Sequence, residues 1–150
     1  MKKIEIESTK VTQIYFPDRT LNIELPLFLE SVSAGFPSPA DDYLEGKLDL
    51  NDYLIMNPAA TFLVRVTGDS MTNSGIYSGD LLIVDRSLEP KDGNIVIAVI
   101  DGELTVKRLR YVKNKLSLLP ENPKYKPIEI TESMNFEVWG VVSTVIHPLI

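Results

Sequence analysis

From residue 61 onward, short apolar runs alternate with turn-forming residues, and this pattern restricts the chain to a mostly β fold. Asp101 followed by Gly102 is the strongest hairpin signal, because a type I′ turn needs a positive φ at both central positions. Many short strands with a turn about every ten residues predict compact antiparallel sheets that form a partial barrel. Upstream, Asp49 is a predicted N-cap for a short helix over residues 50–56. The predicted strands are residues 61–67, 81–85, 94–100, 103–109, 115–119, 128–130 and 136–146.

The amino-terminal part of the chain is too short and too polar to build a core of its own. Residues 1–32 contain short alternating stretches and one apolar run at residues 25–29, so we expect an extended arm against the main body or a partner subunit. Pro37 and Pro39 fix two φ angles and push the residues before them toward extended conformations. Residues 35–40 are therefore predicted to be a solvent-reachable connector, although an ordinary linker explains this segment equally well.

Composition excludes several kinds of chemistry. The 150 residues are 44% hydrophobic, enough for one domain with an ordinary core, and include no run long enough for a membrane span and no secretory signal. With no cysteine and one histidine, His147, thiolate nucleophiles and cysteine-based metal sites are excluded, and we expect no metal or cofactor. A Ser-His-Asp triad would have to use His147, and a lone histidine near a chain end is usually structural or solvated.

The charge balance argues against direct contact with nucleic acid. A net charge of −6 disfavours binding to a phosphate backbone, so any association with DNA is expected to go through another protein. The local exception is a basic run, which we interpret as the solvated side of a β-ribbon. This run consists of Lys107, Arg108, Arg110, Lys113 and Lys115.

Ser70 and Lys107 form a candidate catalytic pair. Ser70 comes shortly after a predicted strand, and Gly68 allows the chain to turn tightly there. Side chains alternate along residues 103–109, so Thr105 and Lys107 share one face and Arg108 lies on the other. We therefore predict that Lys107 points inward with Thr105. If Arg108 were the buried residue instead, the assignment of Lys107 as the base would be wrong by one register.

The chemistry of such a pair imposes conditions on its surroundings. A serine hydroxyl needs a base, and a lysine with an ordinary pKa of about 10.4 becomes one at neutral pH only if burial lowers that pKa to about 7 to 8. The Thr105 hydroxyl is placed to fix the lysine rotamer. The backbone N–H groups of Asp69 and Ser70, at the bend, are candidate donors to an oxyanion. From these residues alone, Ser70 as a turn residue and Lys107 as a surface cation remain alternatives.

Four motifs carry a resemblance to a known family. They are SAGFPSPA at residues 33–40, GDSM at 68–71, GDLLIVD at 79–85 and DGELTVK at 101–107. In order and spacing, over roughly residues 30–147, the chain resembles the LexA and UmuD family of self-cleaving serine peptidases, and the UmuD branch is the closer match. Ala34 departs from the cysteine typical of the UmuD branch but matches the Ala-Gly bond of LexA-like repressors.

The resemblance implies a peptidase that cuts its own bond between Ala34 and Gly35, with Ser70 as nucleophile and Lys107 as general base. It implies two parts, an arm at residues 1–34 and a peptidase and dimerisation domain at residues 35–150. It further implies a cytoplasmic protein of the SOS response to DNA damage, stimulated by a RecA filament on single-stranded DNA. The product would be a homodimer that serves a UmuC-like Y-family polymerase subunit in translesion synthesis.

Two alternatives stay open. A self-cleaving repressor of the LexA or phage type needs a helix-turn-helix ahead of the cleavage site, whereas the 34 residues before Gly35 lack three helical periodicities. A non-catalytic polymerase-accessory or dimerisation module would keep the fold without cutting. The corner at residues 120–123 is predicted to be a loop without chemistry, and Phe62, Tyr125 and Trp139 are predicted to be packing residues.

Overall fold

The computed structural model describes residues 8–17, 24–28 and 44–150, and β-strand is the main secondary structure in these residues. Its one α-helix in those ranges, α1, covers Leu50–Leu54, and short 3-10 turns cover Pro58–Ala60 and Thr72–Ser74. The strands are β1 (Lys10–Tyr15), β2 (Glu24–Phe28), β3 (Leu44–Asp49), β4 (Thr61–Thr67), β5 (Leu81–Asp85), β6 (Ile95–Ile100), β7 (Glu103–Val112), β8 (Lys115–Leu119), β9 (Ile128–Glu129) and β10 (Phe136–Ile146).

Six of these strands close into an antiparallel barrel. The hydrogen-bonded order runs β1, β4, β5, β10, β6, β7, β8 and β9, and β1 also pairs with β7. The ring is closed by β1, which pairs along β4 and meets β7 where Lys10 lies opposite Thr105. The predicted mostly β barrel fold is confirmed, and the strand that completes it comes from the amino-terminal arm.

Two-residue turns set the registers of the hairpins around β7. Asp101 and Gly102 have φ values of 48° and 87°, which confirms the predicted type I′ signal between β6 and β7. A second pair with positive φ, Lys113 and Asn114, joins β7 to β8. Because this tight turn lets both strands pair to their ends, β7 continues to Val112, and the predicted end at residue 109 was three residues early.

The barrel interior is filled by side chains from the alternating faces of its strands. One buried cluster consists of Phe62, Val64, Val66, Met71, Ile76, Leu82, Val84, Ile97 and Val106. A second cluster, under β8, consists of Val96, Ala98, Leu109, Leu118 and Val141. Trp139 packs edge-on against Phe62 with ring centroids 6.5 Å apart, as expected of packing residues.

Residues 18–56 belong to a second compact unit. In it β2 pairs with β3 in an antiparallel two-stranded sheet, so residues 24–28 of the predicted arm form one strand of that sheet. The Asp49 side chain accepts a 2.9 Å hydrogen bond from the Asn51 N–H, which confirms the predicted N-cap, and the helix ends at Leu54 rather than at residue 56. Ala34, Gly35 and the predicted connector lie outside the described residues.

None of the helices in the described ranges is long and apolar enough to cross a membrane.

Candidate functional site

Ser70 lies on a tight turn directly after β4. Gly68 opens this turn with φ of +98°, a value that side chains rarely adopt, and Ser70 itself is fully buried. The next residue, Met71, is inserted in the barrel core and begins the short 3-10 turn that follows. The hydroxyl is therefore carried on backbone that is fixed on one side by the sheet and on the other by the core.

Lys107 reaches Ser70 from the neighbouring side of the barrel. Its side chain is 2% exposed, and Nζ lies 3.0 Å from Ser70 Oγ and 3.0 Å from Thr105 Oγ1. A third 3.0 Å contact joins Nζ to the carbonyl oxygen of Val106. Arg108, on the opposite face of β7, is partly exposed and pairs with Glu121. The predicted orientation, with Lys107 inward and Arg108 outward, is therefore present.

Burial disfavours the charged form of this lysine. Desolvation lowers the pKa of Lys107 from its ordinary value of 10.5 to about 8. Keeping the ammonium form buried at neutral pH therefore costs about 3 kcal/mol. A substantial fraction of the amine is neutral just above neutral pH, and a neutral amine 3.0 Å from a hydroxyl can accept its proton.

A segment of the predicted amino-terminal arm lies against this pair, a contact that the sequence did not predict. Thr9, which is fully buried, donates its backbone N–H to Ser70 Oγ at 2.9 Å and accepts the Ser70 N–H at its own Oγ1 at 3.0 Å. Ser8 Oγ lies 2.5 Å from Lys107 Nζ. The Ser70 N–H, predicted as an oxyanion donor, thus has a partner from the amino-terminal strand. No local sequence pattern predicts a contact between two residues that are 61 positions apart.

The back of the turn is held by the loop after β8. The Asn122 side chain donates to the backbone oxygen of Asp69 at 2.8 Å, and Tyr125 donates its hydroxyl to the Asp69 carboxylate. The Glu121 N–H donates to the Ser70 carbonyl oxygen at 2.8 Å. The corner at residues 120–123, to which the sequence assigned no role, and Tyr125 therefore act together as a support for the turn.

The single histidine does not join the pair. Its Nδ1 lies 2.5 Å from an oxygen of Asp80, which is 1% exposed and also accepts the Tyr77 N–H. His147 also stacks obliquely beside the Tyr77 ring. A triad built on His147 is therefore not assembled here. Among the residues that the structure describes, no three His, Asp or Glu side chains are grouped to hold a metal ion.

The structure is a small β-barrel that holds a serine hydroxyl against a buried lysine amine. This arrangement can support hydrolysis by a Ser-Lys pair. The family model described as Peptidase S24-like matches residues 26–143, most of the chain. The chain therefore belongs to the Peptidase S24-like family of self-cleaving serine peptidases. The resemblance to UmuD and LexA read from the motifs is confirmed.

Individual relatives agree with this assignment. Protein SamA of Salmonella typhimurium is 53% identical over 122 residues, which cover 81% of this chain and 84% of SamA. Protein MucA of Escherichia coli is 42% identical, over 83% of this chain and 87% of MucA. The LexA repressor of Stenotrophomonas maltophilia is 38% identical, over 93% of this chain and 64% of the repressor. Strand β1 lies before the residues that the family model matches.

Proposed function

We propose that this chain is an SOS-response autopeptidase that cuts its own bond between Ala34 and Gly35, with Ser70 as nucleophile and Lys107 as general base. The observation that carries the proposal is the 3.0 Å separation of Lys107 Nζ and Ser70 Oγ in a buried site. Burial supplies the lowered pKa that a lysine base requires, and family membership supplies self-cleavage as the reaction.

The proposed reaction proceeds through an acyl-enzyme. Neutral Lys107 takes the proton of Ser70 as Oγ attacks the carbonyl carbon of Ala34, and the resulting ammonium returns that proton to the departing amine of Gly35. Water, deprotonated by the same amine, then hydrolyses the Ser70 ester. The Thr105 hydroxyl orients the amine throughout, and the N–H groups of Asp69 and Ser70 are the proposed oxyanion donors.

The chain is proposed to be inactive until it is stimulated, and the need to desolvate Lys107 is the physical reason for this latency. In this hypothesis the cleavage segment either enters the cleft, where it excludes water from Lys107, or stays away from it. A RecA filament on single-stranded DNA would bind the inserted form better and so raise its population. The cleaved product is then proposed to act in the cytoplasm as a homodimer and as the accessory subunit of a UmuC-like translesion polymerase. What supports this part of the proposal is membership of a family that includes UmuD-like relatives.

The test is incubation of the purified full chain without any activator across pH 7 to pH 10, with intact mass and amino-terminal sequencing as readouts. A new amino terminus at Gly35 is expected, absent from Ser70→Ala. The rate should rise about tenfold over this range, because about one tenth of a lysine with a pKa of about 8 is neutral at pH 7.

The matched control for this profile is Lys115→Ala, which alters an exposed lysine at the start of β8. It should cleave with the wild-type profile. A rate that stays flat between pH 7 and pH 10 contradicts Lys107 as the base. Failure to cleave at any pH, with or without a RecA filament, leaves a non-catalytic accessory module as the better description.

A further inference from the structure

The cleft beside Ser70 already holds an extended peptide, and that peptide is part of this chain. Strand β1 pairs antiparallel with β4 from Lys10 opposite Thr67 to Tyr15 opposite Leu63. At its amino-terminal end, Ser8 and Thr9 contact the two reactive side chains directly. Main-chain pairing of this kind is how a sheet edge captures a strand, with side chains at the reactive end deciding what fits.

We propose that this cleft is a binding site for residues 8–15 of the chain itself, and that Thr9 holds Ser70 in an unreactive state until that segment is displaced. The proposal rests on the proposed function in one respect, since it takes Ser70 to be the nucleophile. It adds a ligand to the cleft, an extended segment with a threonine at the nucleophile, and it makes that ligand a competitor of the cleavage segment.

The hydrogen bonds identify the segment as an inhibitor and not a substrate. A substrate must direct a carbonyl carbon at the serine oxygen and its carbonyl oxygen at the oxyanion donors. Here Ser70 Oγ instead receives the Thr9 N–H at 2.9 Å, which engages a lone pair needed for attack. The Ser70 N–H is bonded to the Thr9 hydroxyl at 3.0 Å, so a proposed oxyanion donor is occupied as well.

The lysine is also engaged. Ser8 Oγ accepts from Lys107 Nζ at 2.5 Å, closer than Ser70 Oγ at 3.0 Å. The Thr9 carbonyl oxygen accepts from the Val106 N–H at 3.3 Å and from the Thr105 hydroxyl at 3.2 Å. The segment is thus bonded to both walls of the cleft, β4 on one side and β7 on the other.

The segment can approach this closely because residue 68 is a glycine and has no side chain. A Cβ placed on Gly68 would lie 2.6 Å from the Ser8 carbonyl oxygen and 2.8 Å from the Thr9 Cα. The backbone of the segment therefore rests directly on the glycine that opens the nucleophile turn. Because these residues fill the space next to Ser70, the cleavage segment cannot reach the same atoms while β1 is in place. The two peptides must bind alternately.

The decisive experiment measures self-cleavage of full-length Thr9→Val at alkaline pH. Valine keeps the shape and the backbone N–H of Thr9 but leaves the buried Ser70 N–H without its acceptor, so we expect cleavage after Ala34 to accelerate about tenfold. Thr9→Pro, which also removes the N–H bonded to Ser70 Oγ, should accelerate it further. Thr131→Val, at an exposed threonine between β9 and β10 whose hydroxyl contacts Ser133, is the matched control and should change nothing.

A reversible tether tests exclusion from the opposite direction. The chain has no cysteine, so Gln13→Cys combined with Arg65→Cys, at residues paired across β1 and β4, gives one possible disulfide. The oxidised protein should cleave at least about tenfold more slowly than the reduced protein, since the segment can no longer leave. Equal rates in the two states, or a new amino terminus at Thr9, would overturn the proposal.

A readout without cleavage separates this proposal from the proposed function. Amide hydrogen exchange of Ser70, followed by NMR near neutral pH, should be slow in the wild type and about tenfold faster in Thr9→Val. If the chain never cleaves but this exchange accelerates, the proposal that residues 8–15 occupy the cleft is supported and the proposed peptidase function is contradicted. If the chain cleaves but Thr9→Val alters neither the cleavage rate nor the exchange rate, the proposal that residues 8–15 block the cleft is contradicted and the proposed peptidase function is supported.

Discussion

The turn that carries Ser70 is held from two sides, and the two sides differ in what they touch. Behind it, Glu121, Asn122 and Tyr125 bond to backbone and carboxylate atoms of residues 69 and 70, none of which reacts. In front of it, Ser8 and Thr9 bond to the hydroxyl, the N–H and the amine that would do the chemistry.

The contacts behind the turn support the nucleophile, whereas the contacts in front of it are proposed to inhibit the nucleophile. The supporting loop lies inside the range that the family model matches, residues 26–143, whereas the front segment lies before it. A contact to a non-reacting atom can only position the nucleophile, while a contact to a reacting atom competes with the substrate for it. Mutations behind the turn should therefore slow the reaction, and mutations in front of it should accelerate the reaction.

The largest effect on self-cleavage is expected from removing Lys107, the proposed base, which lies between the two sides. Lys107→Ala should reduce self-cleavage by more than about a thousandfold, because a nucleophile without its base retains only what binding and oxyanion stabilisation supply. The measurement is the rate of appearance of the fragment that begins at Gly35. Residual cleavage within about tenfold of wild type would show that another group is the base.

The next effect concerns stability and comes from the buried amine. In a Ser70→Ala background, unfolded Lys107 keeps its proton up to its ordinary pKa of 10.5, whereas the folded chain releases it near pH 8, so unfolding takes up a proton between these values. The free energy of unfolding should therefore rise with pH in this window, by about 2 to 3 kcal/mol relative to Lys107→Met. Urea unfolding at pH 7, 8, 9 and 10 measures it.

The exposed Lys115 serves as the control for that series. Lys115→Met in the same background should show no such pH-dependent difference. If the Lys107→Met difference does not change with pH, burial is not what sets the charge of the amine.

A glycine pair tests the front contact by stability. Gly68→Ala forces a side chain into positive φ and against Ser8, whereas Gly75→Ala meets only the positive φ, since nothing lies within 4 Å of its Cβ position. Gly75→Ala should lower the free energy of unfolding by about 1 kcal/mol and Gly68→Ala by about 2 kcal/mol more. Equal losses in thermal or urea unfolding would mean that Ser8 and Thr9 do not rest on Gly68.

The smallest effect is expected behind the turn. Tyr125→Phe removes the hydroxyl that bonds to Asp69 and should slow self-cleavage about threefold to tenfold, the equivalent of one hydrogen bond. The midpoint of the pH profile should not move, because the hydrogen bond that this substitution removes is to Asp69 and not to Lys107. Tyr111→Phe, which removes an exposed hydroxyl near Asn114, is the control. A faster reaction in Tyr125→Phe would erase the distinction between the two sides.

Much of the site was predictable because it depends on local geometry. Alternation along β7 placed Lys107 and Thr105 on the inner face, and the turn at Asp101 and Gly102 set the register that keeps them there. The proximity of Lys107 to Ser70 was not readable from these residues alone and came from the motifs that resemble a family. The catalytic roles of both residues, and the cleavage between Ala34 and Gly35, stay predictions.

The sequence by itself determined the strands, the hairpin turns and the face on which each side chain lies, because these follow from backbone sterics and a period of two residues. Only the tertiary structure decided that β1 completes the barrel and that Thr9 meets Ser70. Pairing between strands far apart in sequence, and the contact between two residues 61 positions apart, depend on the shape of the assembled core, and no run of neighbouring residues encodes them.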